Sequence, residues 1–369
     1  MKYYIIAGEA SGDLHGSNLI RELIQLDSAA EIRCWGGDKM QQAGATLVKD
    51  YRELAFMGFA EVIGNLPAII RNFTFCKKDI ISFQPDVVVF IDYPGFNLRM
   101  AKWTRENNFR NIFYISPQVW AWKESRVKQI KKNIDRMVVI LPFEKKFYQA
   151  WNYEVDYVGH PLVQVIERFK IENEQLEQDV NLVALLPGSR KQEIKEKLPI
   201  MLEATKHFNE NNFVIAKAPG IDQEFYQPFI SSYKNVSLDT DSTYSVLMKS
   251  YAALVTSGTA TLETALFGVP QIVCYKAGTI SYQIAKRLVK LKFISLVNLI
   301  MDREVVKELI QHQLTAENLA KNLNEILYDP VKRERIQFDY YLLKKKLSEG
   351  GNASANAAII VYECGLTSK

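Results

Sequence analysis

The sequence lacks the features that mark disulfide-bonded, zinc-binding and membrane-spanning proteins. Its 369 residues include only four cysteines, which lie far apart and form no Cys-x-x-Cys pair: Cys34, Cys76, Cys274 and Cys364. That spacing gives neither a disulfide framework nor a zinc site. No apolar run approaches the roughly 20 residues that a membrane-spanning helix requires. We therefore expect a protein with no structural metal and no membrane span.

The charge argues against a nucleic-acid-binding protein, and the N-terminal sequence argues against a signal peptide. The formal net charge is +4, which is too small to indicate a nucleic-acid partner. The N-terminus begins directly with a strand pattern and has no charged lead followed by a long apolar core, so no signal peptide is visible. The sequence predicts a soluble, cytoplasmic protein that does not bind nucleic acid.

Short apolar runs that alternate with helical patterns fill most of the sequence. The runs that indicate strands are YYIIAG, DVVVFID, NIFYIS, RMVVILP and VDYVGHP in the first half, and NLVALLPG, FVIAKAP, AALVTSG and PQIVCY in the second. Near-continuous Val, Ile and Leu indicates strands that are buried on both faces, hence parallel sheets flanked by helices. The predicted fold class is therefore α/β, with two doubly wound, Rossmann-like domains.

A polar segment, 165–179, lies between the two sets of strands and is interpreted as the linker. We predict an N-terminal domain over 1–170, a C-terminal domain over 171–345, and a C-terminal helix over 346–369 that packs on one of the domains. Two doubly wound domains joined in this way would place a cleft between their strand ends. A length of 369 residues agrees with about two domains.

The first strand-turn-helix segment of the C-terminal domain is LLPGSRKQEI, residues 185 to 194. Pro187 and Gly188 form the turn, Ser189 is a plausible N-cap, and Arg190 falls in the first helical turn. Free backbone N–H groups at a helix start favour an anion, and a guanidinium adds paired donors in a fork geometry. The alternative interpretation is an ordinary N-cap beside a surface arginine.

A second such segment, LVTSGTATLETALFGVP, spans residues 254 to 270. Ser257, Gly258 and Thr259 form a turn of small residues, which lets backbone donors approach a pyrophosphate. Glu263 follows within the helix, where its carboxylate is placed to accept hydrogen bonds from two ribose hydroxyls. Neither segment matches G-x-G-x-x-G or G-x-x-x-x-G-K-[ST], so a dinucleotide fingerprint and a P-loop are both absent. Together the two segments predict a nucleotide half-site.

The loop GEASGDLHG, residues 8 to 16, follows the first predicted strand but does not read as a phosphate loop. Glu9 and Asp13 would repel a phosphate. This loop, together with six other stretches in order along the chain, resembles the lipid-A-disaccharide synthase family. The other stretches are IDYPGFN, SPQVWAW, YVGHP, LLPGSR, SGTATLE and NLIMDREVVKELIQ. LLPGSR and SGTATLE would suit many UDP-sugar enzymes, whereas SPQVWAW and GEASGD are far more particular.

The resemblance implies a two-domain glycosyltransferase fold of the GT-B type and an inverting transfer reaction. The implied donor is UDP-2,3-diacylglucosamine and the implied acceptor is 2,3-diacylglucosamine 1-phosphate. The 6-hydroxyl of the acceptor displaces UDP and forms a β-1,6 bond. The implied reaction needs no cofactor.

An inverting displacement needs a base, and Asp92 is the candidate. It stands at the end of DVVVFIDYPGFN, where a parallel strand ends at the predicted cleft. The alternative is that Asp92 caps the next turn, which Pro94 and Gly95 would form. The family pattern has an aspartate at this position, so the resemblance favours the base. Gly95 stands where many relatives are expected to have a second acidic residue, which again makes Asp92 the important carboxylate.

Arg190 and the two helix starts are the predicted partners of the departing diphosphate, so a metal is not needed if they suffice. One Asp-x-Asp sequence does occur, Asp239-Thr240-Asp241. This spacing binds manganese in a different glycosyltransferase fold. Here Ser242 and a helical pattern follow, so helix capping explains the sequence better. No metal site is predicted.

The resemblance implies that the first domain holds the acceptor, a sugar that presents hydroxyls, so loop 8–16 is expected to contact it. Glu9, Ser11 and Asp13 are suitable partners for hydroxyls, and Ser11 could also approach the donor. His15 is either a further sugar contact or a polar cap or packing residue. His160, in YVGHP, is either structural or a second catalytic candidate, and the sequence leaves that choice open.

Asn298, in SLVNLIMDREVVKELIQ, precedes an apolar helical run and reads first as an N-cap. The resemblance alone implies that it touches the donor diphosphate or sugar. Arg287 is similar, because its basic amphipathic run AKRLVKLKF is otherwise a solvated face.

Acylated substrates imply contact with a bilayer. Segment 53–75 is rich in Phe, Ile and Met and forms either a pair of core helices or an acyl-binding, membrane-dipping surface. Segment 122–136 carries six basic and two acidic residues, a composition that attracts anionic lipid. We expect a peripheral protein on the inner face of the cytoplasmic membrane. Its oligomeric state is open.

Three competing functions are less well supported. A UDP-N-acetylglucosamine 2-epimerase would share the architecture and a UDP-sugar, but it would leave segment 53–75 without a role. A glycosyltransferase of peptidoglycan synthesis would also use a lipid-linked acceptor. SPQVWAW and GEASGD argue against both. A non-enzymatic nucleotide-binding or nucleic-acid protein would have to accommodate a carboxylate-rich cleft that repels phosphate.

Overall fold

A computed structural model describes residues 1–54, 66–122, 124–240, 242–278 and 291–366. Five of the predictions fall wholly or partly outside these ranges: segment 53–75 at residues 55–65, segment 122–136 at Lys123, Asp241, Arg287, and the predicted C-terminal helix at residues 367–369. The chain divides into two units. The first comprises Met1–Pro161 and Leu347–Lys369, and the second comprises Leu162–Lys346.

A parallel sheet forms the centre of the first unit. Among the described residues its strands are ordered β3-β2-β1-β4-β5-β6-β7. Their bounds are β1 (Lys2–Ala7), β2 (Glu31–Gly36), β3 (Thr46–Asp50), β4 (Val87–Ile91), β5 (Asn111–Tyr114), β6 (Arg136–Val139) and β7 (Asp156–Tyr157). All five residues of β4, VVVFI, are buried, as expected for a central strand that is covered on both faces.

Helices connect and cover these strands. They are α1 (Ala10–Leu26), α2 (Asp38–Gln42), α3 (Leu66–Phe83), α4 (Pro94–Glu106), α5 (Val119–Trp122), α6 (Val127–Asn133) and α7 (Pro142–Gln149), with short 3-10 helices at Tyr51–Leu54 and Glu124–Arg126. An aromatic core packs against one face of the sheet, where the ring of Phe96 stacks on Phe73 with centroids 4.3 Å apart and on Trp35 at 5.3 Å.

The second unit repeats this architecture around a parallel sheet of order β10-β9-β8-β11-β12-β13. Its strands are β8 (Asp179–Leu186), β9 (Asn212–Ala216), β10 (Val236–Asp239), β11 (Ser250–Thr256), β12 (Gln271–Tyr275) and β13 (Lys307–Ile310). Its helices are α8 (Leu162–Glu172), α9 (Lys191–Thr205), α10 (Gln227–Ile230), α11 (Thr243–Lys249), α12 (Thr259–Phe267), α13 (Leu296–Met301), α14 (Ala316–Tyr328) and α15 (Pro330–Ser348), with 3-10 helices at Gln223–Phe225 and Gln311–Gln313. Two parallel, doubly wound sheets confirm the predicted fold class.

The chain passes between the units at Pro161–Leu162 rather than at residue 170, and returns at Lys346–Leu347. Segment 165–179, interpreted above as a linker, is largely helix α8, and Lys170 there donates a hydrogen bond of 2.9 Å from Nζ to the carbonyl of Leu266. After the return, α16 (Ala353–Leu366) belongs to the first unit and packs against α1.

The strand order reverses once within each sheet. The loops that carry the predicted site residues follow the two strands that meet at this reversal. In the first unit β1 and β4 are neighbours, and Ala7 pairs with Ile91, so the loops after both strands leave the same edge side by side. In the second unit β8 and β11 are neighbours in the same way, with Leu186 opposite Val255. Open α/β sheets bind ligands outside the carboxyl ends of the strands at such reversal points.

Among the described residues, no helix is both long enough and apolar enough to cross a bilayer. The described part of segment 53–75 comprises the end of the 3-10 helix Tyr51–Leu54 and the start of α3. Helix α3 carries three exposed apolar side chains: Ile70, Phe75 and Ile81. Neighbouring side chains of α3, such as Cys76 and Ile80, are fully buried. The helix is therefore a core element on one side and an apolar surface on the other.

Candidate active site

Two carboxylates meet at the reversal point of the first sheet. Glu9 follows β1 and stands before the first residue of α1, while Asp92 follows β4. Burial of the Asp92 carboxyl, and then the negative charge of Glu9, raises its pKa to about 7. A carboxyl with a pKa near neutrality is suited to take up a proton at physiological pH.

The backbone at Asp92 is held in an uncommon conformation. Asp92 and Tyr93 both lie in the left-handed region, with φ of +45° and +49°. Asn97 is fully buried and holds the turn, because its Nδ2 donates to the carbonyl of Asp92 at 2.8 Å. Strain of this kind is typical of functional sites. The N-cap position of α4 belongs to Tyr93, not to Asp92, so helix capping does not explain the aspartate.

A third carboxylate, which the sequence did not reveal, lies in the same unit. Glu144 follows β6 in the first turn of α7 and is only 1% exposed. Its Oε2 accepts a hydrogen bond of 3.0 Å from the Leu141 N–H, and its Oε1 accepts one of 3.2 Å from Nε1 of Trp120. Burial raises the pKa of Glu144 to about 7, and the nearby charge of Asp92 adds to the increase. Glu144 thus fixes the SPQVWAW loop beside the carboxylate pair.

Asp13 has a structural role that the sequence prediction missed. It is 4% exposed, and its carboxylate accepts backbone hydrogen bonds from Gly37 at 2.8 Å, Met40 at 3.0 Å and Lys39 at 3.3 Å. The carboxylate therefore holds the start of α2, a use that occupies both oxygens. This corrects the prediction that Asp13 contacts the hydroxyls of the acceptor. Ser11, in contrast, is exposed in the first turn of α1.

His15 and His160 are both interior residues of the first unit, 6% and 3% exposed. Burial, and then the charge of Lys39, lowers the pKa of His15 to about 4, and burial followed by His15 lowers the pKa of His160 to about 3. Both imidazoles are therefore neutral at pH 7. Burial favours the packing interpretation of His15 over the sugar contact.

The first loop of the second unit connects β8 to α9. Gly188 has a φ of +129°, which favours glycine, and the residue before the first turn of α9 is Arg190 rather than Ser189. The predicted N-cap was therefore one residue too early. The Ser189 N–H donates to Oε2 of Glu193 at 3.2 Å, and Nη1 of Arg190 lies 3.4 Å from Oε1 of the same carboxylate.

The second loop connects β11 to α12. Ser257 donates from Oγ to the carbonyl of Ile294 at 2.9 Å, so its hydroxyl anchors the loop to the segment before α13. Gly258 has a φ of +149° and is exposed, and a Cβ placed there would meet no described atom within 4 Å. Thr259 is also exposed and begins α12. This turn leaves backbone room for a phosphate group.

Glu263 lies one turn into α12 and is half-buried. Its Oε1 accepts a hydrogen bond of 2.9 Å from the hydroxyl of Tyr244, a residue of α11 that sequence reasoning did not identify. Burial, together with the Glu263 charge, raises the pKa of Tyr244, so the phenol remains a donor. The phenol therefore holds one carboxylate oxygen of Glu263 in place.

Asn298 is fully buried, and both polar atoms of its side chain are hydrogen-bonded within the chain. Its Nδ2 donates to Glu308 and to the carbonyl of Val306, both at 2.9 Å, and its Oδ1 accepts from the N–H groups of Val305 and Val306 at 2.8 Å and 3.0 Å. The N-cap of α13 is Ser295. The N-cap interpretation of Asn298 is thus corrected, and its contact with the donor stays a prediction.

The network around Asn298 supports the loop between β11 and α12. Glu308 is 9% exposed and accepts hydrogen bonds from the N–H groups of Ile294 and Ser295, the latter at 2.9 Å. These contacts fix the Ile294 carbonyl that receives the Ser257 hydroxyl. The segment after α13, read from the sequence as one helical run, turns at Asp302 with a φ of +50° and then forms strand β13.

Metal binding finds no support in the described part of the chain. Asp239 ends β10, and its Oδ1 accepts a hydrogen bond of 3.4 Å from the N–H of Ser242, the N-cap of α11. Within the described ranges, no three His, Cys, Asp or Glu residues are grouped in a way that could hold a metal ion.

Comparisons with known proteins point to one family. A family model described as Lipid-A-disaccharide synthetase matches residues 3–360. Curated proteins named lipid-A-disaccharide synthase are similar over nearly the whole length: 36% identity for that of Geobacter sulfurreducens, covering 98% of this chain and 97% of the relative, and 39% for that of Syntrophus aciditrophicus, covering 96% of each. Among solved structures, UDP-GlcNAc 2-epimerase from Neisseria meningitidis bound to UDP-GlcNAc superposes with a TM-score of 0.68 at 15% identity, covering 98% of this chain and 99% of that one. At that identity the similarity concerns the fold alone.

Proposed function

The chain belongs to the lipid-A-disaccharide synthetase family and is a glycosyltransferase of lipid A biosynthesis, and from this premise we propose how its residues carry out the transfer. The family uses a UDP-sugar donor and a glycolipid acceptor. The proposed donor is UDP-2,3-diacylglucosamine, and the proposed acceptor is 2,3-diacylglucosamine 1-phosphate. The proposed products are the β-1,6-linked disaccharide 1-phosphate and UDP.

The first unit supplies the base. The 6-hydroxyl oxygen of the acceptor attacks the anomeric carbon, the bond from that carbon to the UDP oxygen breaks, and the hydroxyl proton passes to Asp92. The observation that carries this proposal is the position of Asp92 at the sheet reversal beside Glu9, with a pKa raised to about 7. A positioned base typically contributes ~10²–10⁴-fold to the rate. Glu9 and Ser11 are the proposed contacts for acceptor hydroxyls.

The second unit binds the donor nucleotide. We propose that the backbone at Gly188, Ser189, Gly258 and Thr259, together with the Arg190 guanidinium, stabilises the diphosphate as negative charge develops on it. Ser257 shapes the second loop through its bond to Ile294. Glu263, oriented by Tyr244, accepts hydrogen bonds from the ribose hydroxyls.

We further propose peripheral contact with the inner face of the cytoplasmic membrane through the exposed side chains of α3. Ile70 is 57% exposed, Ile81 50% and Phe75 47%, on a helix that also carries Lys77 and Lys78. Apolar side chains beside basic ones are typical of surfaces that bind anionic lipid. Acylated substrates would be drawn from that surface.

Mass spectrometry of the reaction products tests the function directly. The purified chain is mixed with both proposed substrates, once with chelator and once with added divalent metal. A tetra-acylated disaccharide 1-phosphate together with UDP is the expected product in both reactions. If no product forms under either condition with several acyl lengths, the substrate assignment is wrong, and UDP-GlcNAc epimerisation is then assayed on the same preparation.

A further inference from the structure

Glu193, the third residue of α9, folds back over the loop that precedes its own helix. Its Oε2 accepts the Ser189 N–H at 3.2 Å, and its Oε1 lies 3.4 Å from Nη1 of Arg190. These are two of the donors that the proposed function assigns to the donor diphosphate. A carboxylate of the chain itself thus occupies the position where a helix start and a guanidinium would receive an anion.

The turn is shaped around this carboxylate. Gly188 has a φ of +129°, and a Cβ at that residue would lie 2.6 Å from Oε2 and 2.9 Å from Cβ of Glu193. A side chain at position 188 would therefore collide with Glu193 as well as strain the backbone. The glycine allows the loop and the glutamate to approach each other closely.

One turn further along α9, Lys197 offers Glu193 a second partner. Its side chain is 2% exposed, and the spacing of four residues places the two side chains on the same face of the helix. Burial lowers the pKa of Lys197, while the charges of Glu193 and then Glu196 act in the opposite direction. A Glu193 carboxylate that leaves the loop therefore does not have to leave the neighbourhood of a cation.

We propose that Glu193 is an internal competitor of the diphosphate: it holds the Ser189 N–H and the Arg190 guanidinium, must be displaced when the nucleotide binds, and returns as UDP leaves. This inference rests on the proposed function. Its consequence is a weaker affinity for UDP and an easier release of product than the loop alone would give. Exposed charge contacts of this kind each change affinity by roughly two- to fivefold.

Calorimetric titration of the full chain with UDP and with uridine tests this role. Glu193→Gln removes the competing charge, and we expect UDP to bind about three- to tenfold more tightly. Uridine has no phosphate, so its affinity should change less than twofold. Glu193→Ala also removes the amide that could replace the carboxylate, and it should give the same result. Glu196→Gln is the matched control, because it changes the same charge on the same helix without contacting the loop.

Three results would overturn the inference while leaving the proposed function intact. UDP affinity that is unchanged or weaker in both Glu193 variants would mean that the glutamate only supports the loop. An equal increase for uridine would mean that phosphate competition is not the cause. An equal increase in Glu196→Gln would reduce the effect to net charge. If the unmodified chain binds no UDP, the nucleotide assignment itself fails, and the competition inferred from it fails too.

Discussion

The hydroxyl of Tyr244 donates a hydrogen bond of 2.9 Å to Oε1 of Glu263, and this contact joins helix α11 to helix α12. The phenol fixes one carboxylate oxygen and turns the glutamate into an oriented acceptor. Hydrogen bonds that involve a charged group contribute about 1.5–3 kcal/mol, compared with about 0.5–1.5 kcal/mol for neutral ones. Glu263 should matter more for nucleotide binding than Tyr244, because Tyr244 acts on the nucleotide only through the glutamate.

Substitution of this pair should weaken nucleotide binding in two steps of different size. We expect Glu263→Ala to weaken uridine binding ~10- to 100-fold and Tyr244→Phe to weaken it ~2- to 10-fold. The double variant should bind no more weakly than Glu263→Ala, because Tyr244 acts through the glutamate. Calorimetry with uridine measures all three. Fully additive losses would show that Tyr244 contacts the nucleotide independently.

Replacement of the proposed base should abolish transfer and spare nucleotide binding. Asp92→Asn keeps the shape of the side chain but cannot accept the hydroxyl proton, so we expect the rate of disaccharide formation to fall ~10²–10⁴-fold. The affinity for UDP should stay within twofold, because the aspartate lies in the other unit. Asp86→Asn, just before the other end of the same strand, is the control. Near-normal activity of Asp92→Asn would rule out the base assignment.

Activity should depend on pH through the same carboxyl group. A base works only when deprotonated, and Asp92 has a pKa of about 7, so kcat/KM should fall as the pH drops below 7. The negative charge of Glu9 contributes to that raised pKa. Glu9→Gln removes the charge, which lowers the pKa of Asp92 and moves the acid limb of the profile to lower pH. The readout is the midpoint of the limb rather than the absolute rate, since Glu9 is also a proposed acceptor contact. An unmoved midpoint would show that Glu9 does not set this pKa.

Much of the fold can be predicted from local patterns in the sequence. The strands that were missed are those whose local pattern does not identify them. β1 and β4 are continuous apolar runs because both of their faces are covered, and such runs stand out. Four strands were not recognised. Three lie at sheet edges: β3, which has no fully buried residue, β10, and β13, which is half polar. The fourth is the inner strand β2, whose sequence EIRCWG mixes charged and apolar residues. An edge strand gains its pairing from a neighbour that the sequence does not show.

The same limit applies to the site. Loops after buried strands could be found because strand, turn and helix follow one another in the sequence. The roles of Asp13 and Glu144 could not be found, since each depends on a partner 24 positions away along the chain, Gly37 for Asp13 and Trp120 for Glu144. Asn298 is a further case: its place before an apolar run suggested an N-cap, whereas Ser295 caps α13 and the Asn298 side chain bonds to Val305, Val306 and Glu308.

Stability should also depend on pH, through His15. Its pKa is about 4 in the folded chain, against an ordinary value near 6.5. At pH 8 both states carry a neutral imidazole. As the pH falls below 6.5 the unfolded chain binds a proton that the folded chain does not, so stability is lost until about pH 4. By linkage, His15 should lower the free energy of unfolding by roughly 2 kcal/mol between pH 8 and pH 5.

Urea unfolding at the two pH values measures this cost. His15→Gln should show a correspondingly smaller drop in the free energy of unfolding between pH 8 and pH 5. His207→Gln, at an exposed position, is the control and should behave like the unmodified chain. An equal pH dependence in all three proteins would show that His15 is not kept neutral by burial.

Membrane contact through α3 should depend on Ile70 and Phe75. Burying an apolar side chain of this size contributes ~1.5–3 kcal/mol, so replacement of either by aspartate should lower the fraction bound to anionic vesicles by about tenfold or more. Ile171→Asp is the matched control, because Ile171 is 74% exposed but lies on α8 in the second unit.

Flotation with vesicles containing anionic lipid measures binding at low and at high salt. Loss of binding at high salt alone would assign the contact to basic residues, because salt screens charges and leaves apolar burial in place. The candidates are Lys77 and Lys78 of α3 and segment 122–136. Equal flotation of Ile70→Asp, Phe75→Asp and Ile171→Asp would exclude α3 as the contact surface.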